Sequence, residues 1–178
     1  DLPTYAFEHE RYWLELVEGR ADVASAGLDA MDHPLLGAVV HSSSGEEVIC
    51  TGRWSARSHP WLKDHDVLGT VILPGTAFVE LAVRAGDEAG YERLEELVLH
   101  APLVIPEQGT VQVQVVLSTP DASGRRPVSV HSRLEGTTLW TRHAEGTLTP
   151  GQNTTPADGP AIWPPATATP LTSSPQET

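Results

Sequence analysis

The chain carries one cysteine, Cys50, among 178 residues. An internal disulfide is therefore excluded, and no Cys/His cluster has the spacing of a metal (zinc) site. Basic side chains are also scarce: 11 Lys and Arg stand against 24 Asp and Glu, a formal net charge of −13. A nucleic-acid partner needs a basic face, so no nucleic acid is expected. No apolar run is long enough to span a bilayer, so no membrane is expected either. The apolar core of a signal peptide is missing, because Asp1–Trp13 is polar. What is left fits an acidic cytoplasmic protein with enough residues for one domain and a real core. Asp1 is not an initiator methionine, and the chain reads as a piece cut from a longer one.

What is present alternates. Leu35–His41 is a short apolar strand candidate, Ser42–Gly45 a turn, and Glu47–Trp54 a strand with Val48, Cys50, Gly52 and Trp54 on one side. Together they predict a hairpin. Further on, Thr110–Ser118 alternates Val111, Val113, Val115 and Leu117 with Gln112 and Gln114. Pro127–Glu135 and Thr138–Leu148 follow as strands, and Leu94–Val104 is a strand interrupted at Pro102. Gly19–Asp32 reads as loop. Residues 150–178, rich in Pro, Thr, Ala, Gly and Ser, read as a linker or tail.

The chain is organised around Trp61–Val83. Val67–Leu73 is β-branched and apolar, and is expected to cross the core. Pro74 and Gly75 suit a helix start. Thr76–Ala89 then sets Ala77, Phe78, Leu81, Ala82, Ala85 and Ala89 at helical spacing, with Val79 and Val83 on a second face. A helix apolar on more than one face is expected to be buried. Gly90 suits its C-terminal end. Strands, a buried helix and more antiparallel strands make an α+β pattern, a sheet around one central helix.

His65 lies just ahead of this helix. Histidine titrates near neutrality and serves as a general base without heavy tuning. The Gly75 N–H, in the first helical turn, can stabilise a developing oxyanion. A base beside an oxyanion donor is what proton abstraction α to a carbonyl requires. On spacing alone the signal is weak, since a lone histidine ahead of a strand is more often structural. The other histidines compete poorly. His9, His59, His131 and His143 are expected to be solvated, His41 and His100 sit at strand ends, and His33 precedes Pro34 as a turn residue. Lys63, Asp64 and Asp66 read as solvated loop charges.

These residues carry a resemblance. His65-Asp66-Val67-Leu68-Gly69-Thr70-Val71-Ile72-Leu73-Pro74 matches the HxxxGxxxxP signature of dehydratase domains in modular type I polyketide synthases. His33-Pro34-Leu35-Leu36-Gly37 resembles a segment near the start of those domains. Leu2–Phe7 with Arg11-Tyr12-Trp13 is similar to the linker that leaves a preceding acyltransferase domain, and Trp163-Pro164-Pro165 to the start of an inter-lobe segment. The resemblance implies a hotdog fold, a curved antiparallel sheet wrapped around a central α-helix, as the first half of a double hotdog. Residues 1–32 would be linker and lead-in, 33–149 the N-terminal lobe, and 150–178 the inter-lobe linker or tail.

By the same resemblance, such domains remove water from a 3-hydroxyacyl thioester carried on the phosphopantetheine of an acyl carrier protein. His65 would be the catalytic base, Gly75 would offer its N–H to the thioester carbonyl, and Gly69 and Pro74 would shape the turn and the helix start. No cofactor of its own is implied. The implied partners are the acyl carrier protein, neighbouring synthase domains, a second copy in a homodimer, and a C-terminal lobe. That lobe would bear the catalytic aspartate, for which this chain offers no candidate. After Glu145 its only acids are Asp158 and Glu177. The competing reading is a non-catalytic hotdog kept for dimerisation or for positioning its neighbours. A single-hotdog thioesterase or hydratase is a third, disfavoured by the acyltransferase-like linker.

Overall fold

The computed structural model describes residues 23–151. In chain order the elements are β1 (Asp29–Ala30), β2 (Ala38–His41), β3 (Val48–Trp54), β4 (Asp66–Val67), β5 (Thr70–Val71), α1 (Gly75–Glu88), β6 (Arg93–Leu99), β7 (Val111–Leu117), β8 (Arg126–Leu134) and β9 (Thr141–Thr149). Short 3-10 turns cover Val23–Ala26 and Pro60–Asp64. One antiparallel sheet runs in the order β1-β2-β3-β7-β8-β9-β6. The expected hairpin is β2–β3, closed by Ser42–Gly45.

Period-two patterning decides which face of this sheet is covered. In β7, Val111, Val113, Val115 and Leu117 are buried, while Gln112 and Gln114 are not. Val128, Val130 and Ser132 continue the same face in β8. Helix α1 lies across that face and touches β3, β6, β7, β8 and β9. Five flat strands would be about 19 Å wide, against roughly 10 Å for a helix. The sheet must curve for one helix to reach all five. Ala77, Phe78, Leu81, Ala82, Ala85 and Gly86 form the buried stripe. A Cβ on Gly86 would stand 2.6 Å from the Tyr91 carbonyl oxygen, so glycine is required there by contact. Gly90, at φ +75°, ends the helix, and the Tyr91 N–H returns to the Gly86 carbonyl at 2.9 Å.

Three expectations are corrected. The helix is buried on one face only: Val79 is 44% exposed, and Glu80 and Asp87 are exposed. Among the described residues no second layer covers that side. Val67–Leu73 does not cross the core. It doubles back as the two-stranded β4–β5 hairpin, with Leu68 fully exposed and Leu73 alone buried. Two successive positive-φ residues, Leu68 and Gly69, fold the run on itself. Finally, the described part of the 19–32 stretch is not all loop, since Asp29 and Ala30 pair with Val39 and Ala38. The acyltransferase-like segment and Trp163–Pro165 lie outside the described residues.

Several apolar side chains stay about half exposed around the start of the helix. They include Val79, Leu99 at 52% and Val104 at 46%. Leu99 approaches Gly75, and Val104 bridges to Ile72. The two sides of α1 should therefore differ in a denaturant titration of this chain. Leu81→Ala is expected to cost about 2–5 kcal/mol by opening a cavity against the sheet. Val79→Ala should cost less than about 1 kcal/mol. Equal losses would contradict the one-sided packing.

Candidate active site

The β4–β5 hairpin builds the ground under His65. Leu68 at φ +54° and Gly69 at φ +82° make the tight turn that two consecutive positive φ values allow. Glycine adopts such a φ without strain, and Leu68 does not. Asp66 Oδ1 accepts the Gly69 N–H at 2.7 Å, so this carboxylate holds the turn rather than serving as a free loop charge. Asp66 pairs with Val71 and Val67 with Thr70. The next rung is His65 itself. The Ile72 N–H donates to the His65 carbonyl at 3.3 Å, and His65 Nδ1 donates to the Ile72 carbonyl at 2.9 Å.

That last bond sets the chemistry of the ring. A carbonyl oxygen can only accept, so Nδ1 must carry the proton. In the neutral imidazole Nε2 then keeps its lone pair. The side chain is exposed, so this nitrogen can meet a substrate.

Three residues beyond Ile72 the helix begins. Pro74, at φ −65° and ψ 149°, is the N-cap, and Gly75 is the first helical residue. The N–H groups of a first turn have no intrahelical acceptor and sit at the positive end of the helix dipole. Gly75 and Thr76 are exposed, and no acidic side chain occupies the first turn. A Cβ at Gly75 would meet only Leu99 Cδ1, at 3.6 Å. Packing within the chain does not demand glycine there, and the missing side chain leaves the amide open to approach. Three backbone steps span at most about 11 Å, so Gly75 cannot lie far from the carbonyl that holds His65.

Three other histidines are not solvated as expected. His143 is buried, with its Nδ1 on the Ala101 carbonyl at 3.1 Å and its Nε2 on Ser132 Oγ at 2.7 Å. Burial holds it below the ordinary histidine range, against smaller raising effects of the Ala101 and Pro102 backbone. The cause is a bulge: Val130 faces Ala144 while His131 faces Arg142, which leaves His143 as the extra residue turned inward. Strict alternation could not reveal it. His59 is half-buried and donates from Nε2 to the Pro34 carbonyl at 2.9 Å. His131 is half-buried too, and burial, then the Arg142 and His143 charges, lower its pKa. His33 is the turn residue expected, its Nδ1 accepting the N–H groups of Leu35 and Leu36. His9 lies outside the described residues. The Cys50 thiol is buried and pushed up to about 12, chiefly by that burial, so it is no nucleophile. Among the described residues no three His, Cys, Asp or Glu side chains group to hold a metal, and no helix is long and apolar enough to cross a membrane.

Residues 33–133 match the family model described as the polyketide synthase dehydratase domain. The chain belongs to that family. Polyketide synthase GfsA of Streptomyces halstedii is 55% identical over 175 residues, 95% of this chain but 2% of that protein. The dehydratase domain from the terminal module of the rifamycin synthase superposes with a TM-score of 0.75 at 53% identity, covering 81% of this chain and 52% of that one. An inactive histidine-to-phenylalanine mutant of the CurJ dehydratase gives a TM-score of 0.60 at 28% identity, covering 69% and 44%. The chain thus spans a few per cent of its curated relative and about half of the solved dehydratases. Its fold is the dehydratase hotdog, as the N-terminal half of that domain.

Asp66→Ala removes the acceptor that closes the turn. Hydrogen exchange at Gly69 and Ile72 should speed up roughly tenfold, as expected for one lost charge-assisted hydrogen bond. Exchange in the β7–β8 pair should be unchanged. Unaltered exchange at Gly69 would show that the carboxylate does not hold the hairpin.

Proposed function

We propose that residues 33–149 form the base-bearing lobe of a dehydratase acting on a 3-hydroxyacyl thioester held on the phosphopantetheine of an acyl carrier protein. The observation that carries this reading is the His65 Nδ1 bond to the Ile72 carbonyl, which leaves Nε2 as an acceptor near an open helix N-terminus. Nε2 takes the α-proton of the thioester. The electron pair left on the α-carbon is shared with the thioester oxygen, where the Gly75 N–H and the helix dipole stabilise the negative charge. The pair then forms the α,β double bond as the β-carbon–oxygen bond breaks. The departing hydroxyl takes a proton from an acid and leaves as water. The product is a 2,3-enoyl thioester, and the sum is redox-neutral.

The acid belongs to a second lobe outside this sequence, an aspartate on that lobe's helix. Residues 1–32 would link the lobe to a preceding domain and 150–178 would lead to the second lobe. The half-exposed Val79, Leu99 and Val104 are where a second apolar layer would close the site. The same reading places the domain in a homodimeric, cytoplasmic synthase among neighbouring catalytic domains. The CurJ dehydratase, inactive with one histidine changed to phenylalanine, supports a histidine as the indispensable group.

In a synthase carrying this domain, His65→Ala should lower kcat for dehydration roughly 10²–10⁴-fold, the range of a lost general base, with the fold intact by circular dichroism. The 178-residue chain alone should show no turnover. Dehydration by the chain alone, abolished by His65→Ala, would overturn the half-site reading. Full activity of the variant synthase would overturn the assignment of the base.

A further inference from the structure

The hairpin that holds His65 is not self-supporting. Its second arm, Val71–Leu73, is stitched to the segment 101–105, which lies in the connection from β6 to β7. The Leu73 N–H donates to the Leu103 carbonyl at 2.9 Å, and the Ile105 N–H to the Val71 carbonyl at 2.9 Å. Between them Ile72 bridges to Val104. The carbonyl that sets the His65 tautomer is therefore flanked on both sides by bonds to this segment. The segment in turn is tied down at its start. His100 N–H and Ala101 N–H both reach the His143 carbonyl, at 2.8 and 3.4 Å. The His143 ring completes the clamp through Nδ1 to the Ala101 carbonyl, at 3.1 Å. Pro102 follows and has no N–H to help, so the ring bond to the Ala101 carbonyl adds to the two backbone bonds in fixing the chain there.

The ring is itself fixed. The Ala101 carbonyl only accepts, so Nδ1 carries the proton, and Nε2 accepts from the Ser132 hydroxyl at 2.7 Å. Phe78, one turn into α1, packs near it with ring centroids 6.4 Å apart. A buried polar side chain with both nitrogens satisfied is costly to place in a core and rigid once placed. Apolar residues would fill this position at lower cost.

We propose that His143 is a positioning residue for His65, acting through the Ala101 carbonyl and the 101–105 segment to hold the Ile72 carbonyl against His65 Nδ1. This deepens the dehydratase reading and rests on it for its catalytic meaning. Its structural content stands apart and can be read without turnover.

Ring 15N NMR of the histidines in this chain provides the test. In the wild type, His143 and His65 should both be protonated at Nδ1, and the opposite tautomer at His143 would overturn the inference at once. Asn places its amide nitrogen where His has Nδ1, whereas Gln places it where His has Nε2. His143→Asn should therefore keep His65 protonated at Nδ1, and Ser132→Ala should do the same. His143→Gln, or His143→Phe as a second variant without the donor, should lose that single form and give the tautomer mixture of a free imidazole. An unchanged His65 in a folded Gln or Phe variant would overturn the proposal, as would its loss in the Asn variant. Collapse of the fold in both Gln and Phe variants would make His143 a core residue only, and would overturn it too. Failure of the dehydratase reading would appear separately, as an active synthase bearing His65→Ala.

Discussion

The structure depends, for its chemistry, on one hydrogen bond between a ring nitrogen and a backbone carbonyl. His65 Nδ1 on the Ile72 carbonyl selects the tautomer, aims the ring and leaves the other nitrogen with a free lone pair. Everything near it serves that geometry. Asp66 closes the turn, Gly69 permits it, and the 101–105 segment backs the arm that carries Ile72.

The core is built for the same end. A single helix spans five strands, so the sheet curls about it and the helix's first turn emerges at the rim, with Gly75 and Thr76 exposed. Open backbone donors are then a by-product of the fold: the Gly75 and Thr76 amides precede the first bonded amide of the turn, Ala77 N–H on the Pro74 carbonyl. The uncovered side of α1 is the counterpart of this economy. Its half-exposed apolar residues are where the proposed second lobe would pack.

Much of this was legible in the residues. The Val111–Leu117 alternation, the β2–β3 hairpin and the α1 stripe follow from simple periodicity, and each is where it was expected. In the His–Gly–Pro spacing each residue type meets a local need: His65 pairs with the Ile72 carbonyl, Gly69 takes a positive φ and Pro74 caps the helix. Two of the departures from expectation share a source. Val67–Leu73 looks like a core strand by composition, yet a positive φ at Leu68, a residue that rarely takes one, turns it into a surface hairpin. His143 looks solvated by alternation, yet a bulge of one residue turns it inward. Both are departures from regular backbone of only one or two residues, which the period-two pattern does not register.

The central claim is that this lobe holds the base and the oxyanion donor while another supplies the acid. Proton exchange separates the two halves. An acyl thioester lacking the 3-hydroxyl cannot lose water, but a base next to an oxyanion donor can still exchange its α-protons. In heavy water, a synthase bearing this domain should incorporate deuterium at the α-carbon, and His65→Phe should abolish it. Exchange that persists undiminished in the variant would place the base elsewhere and contradict the account.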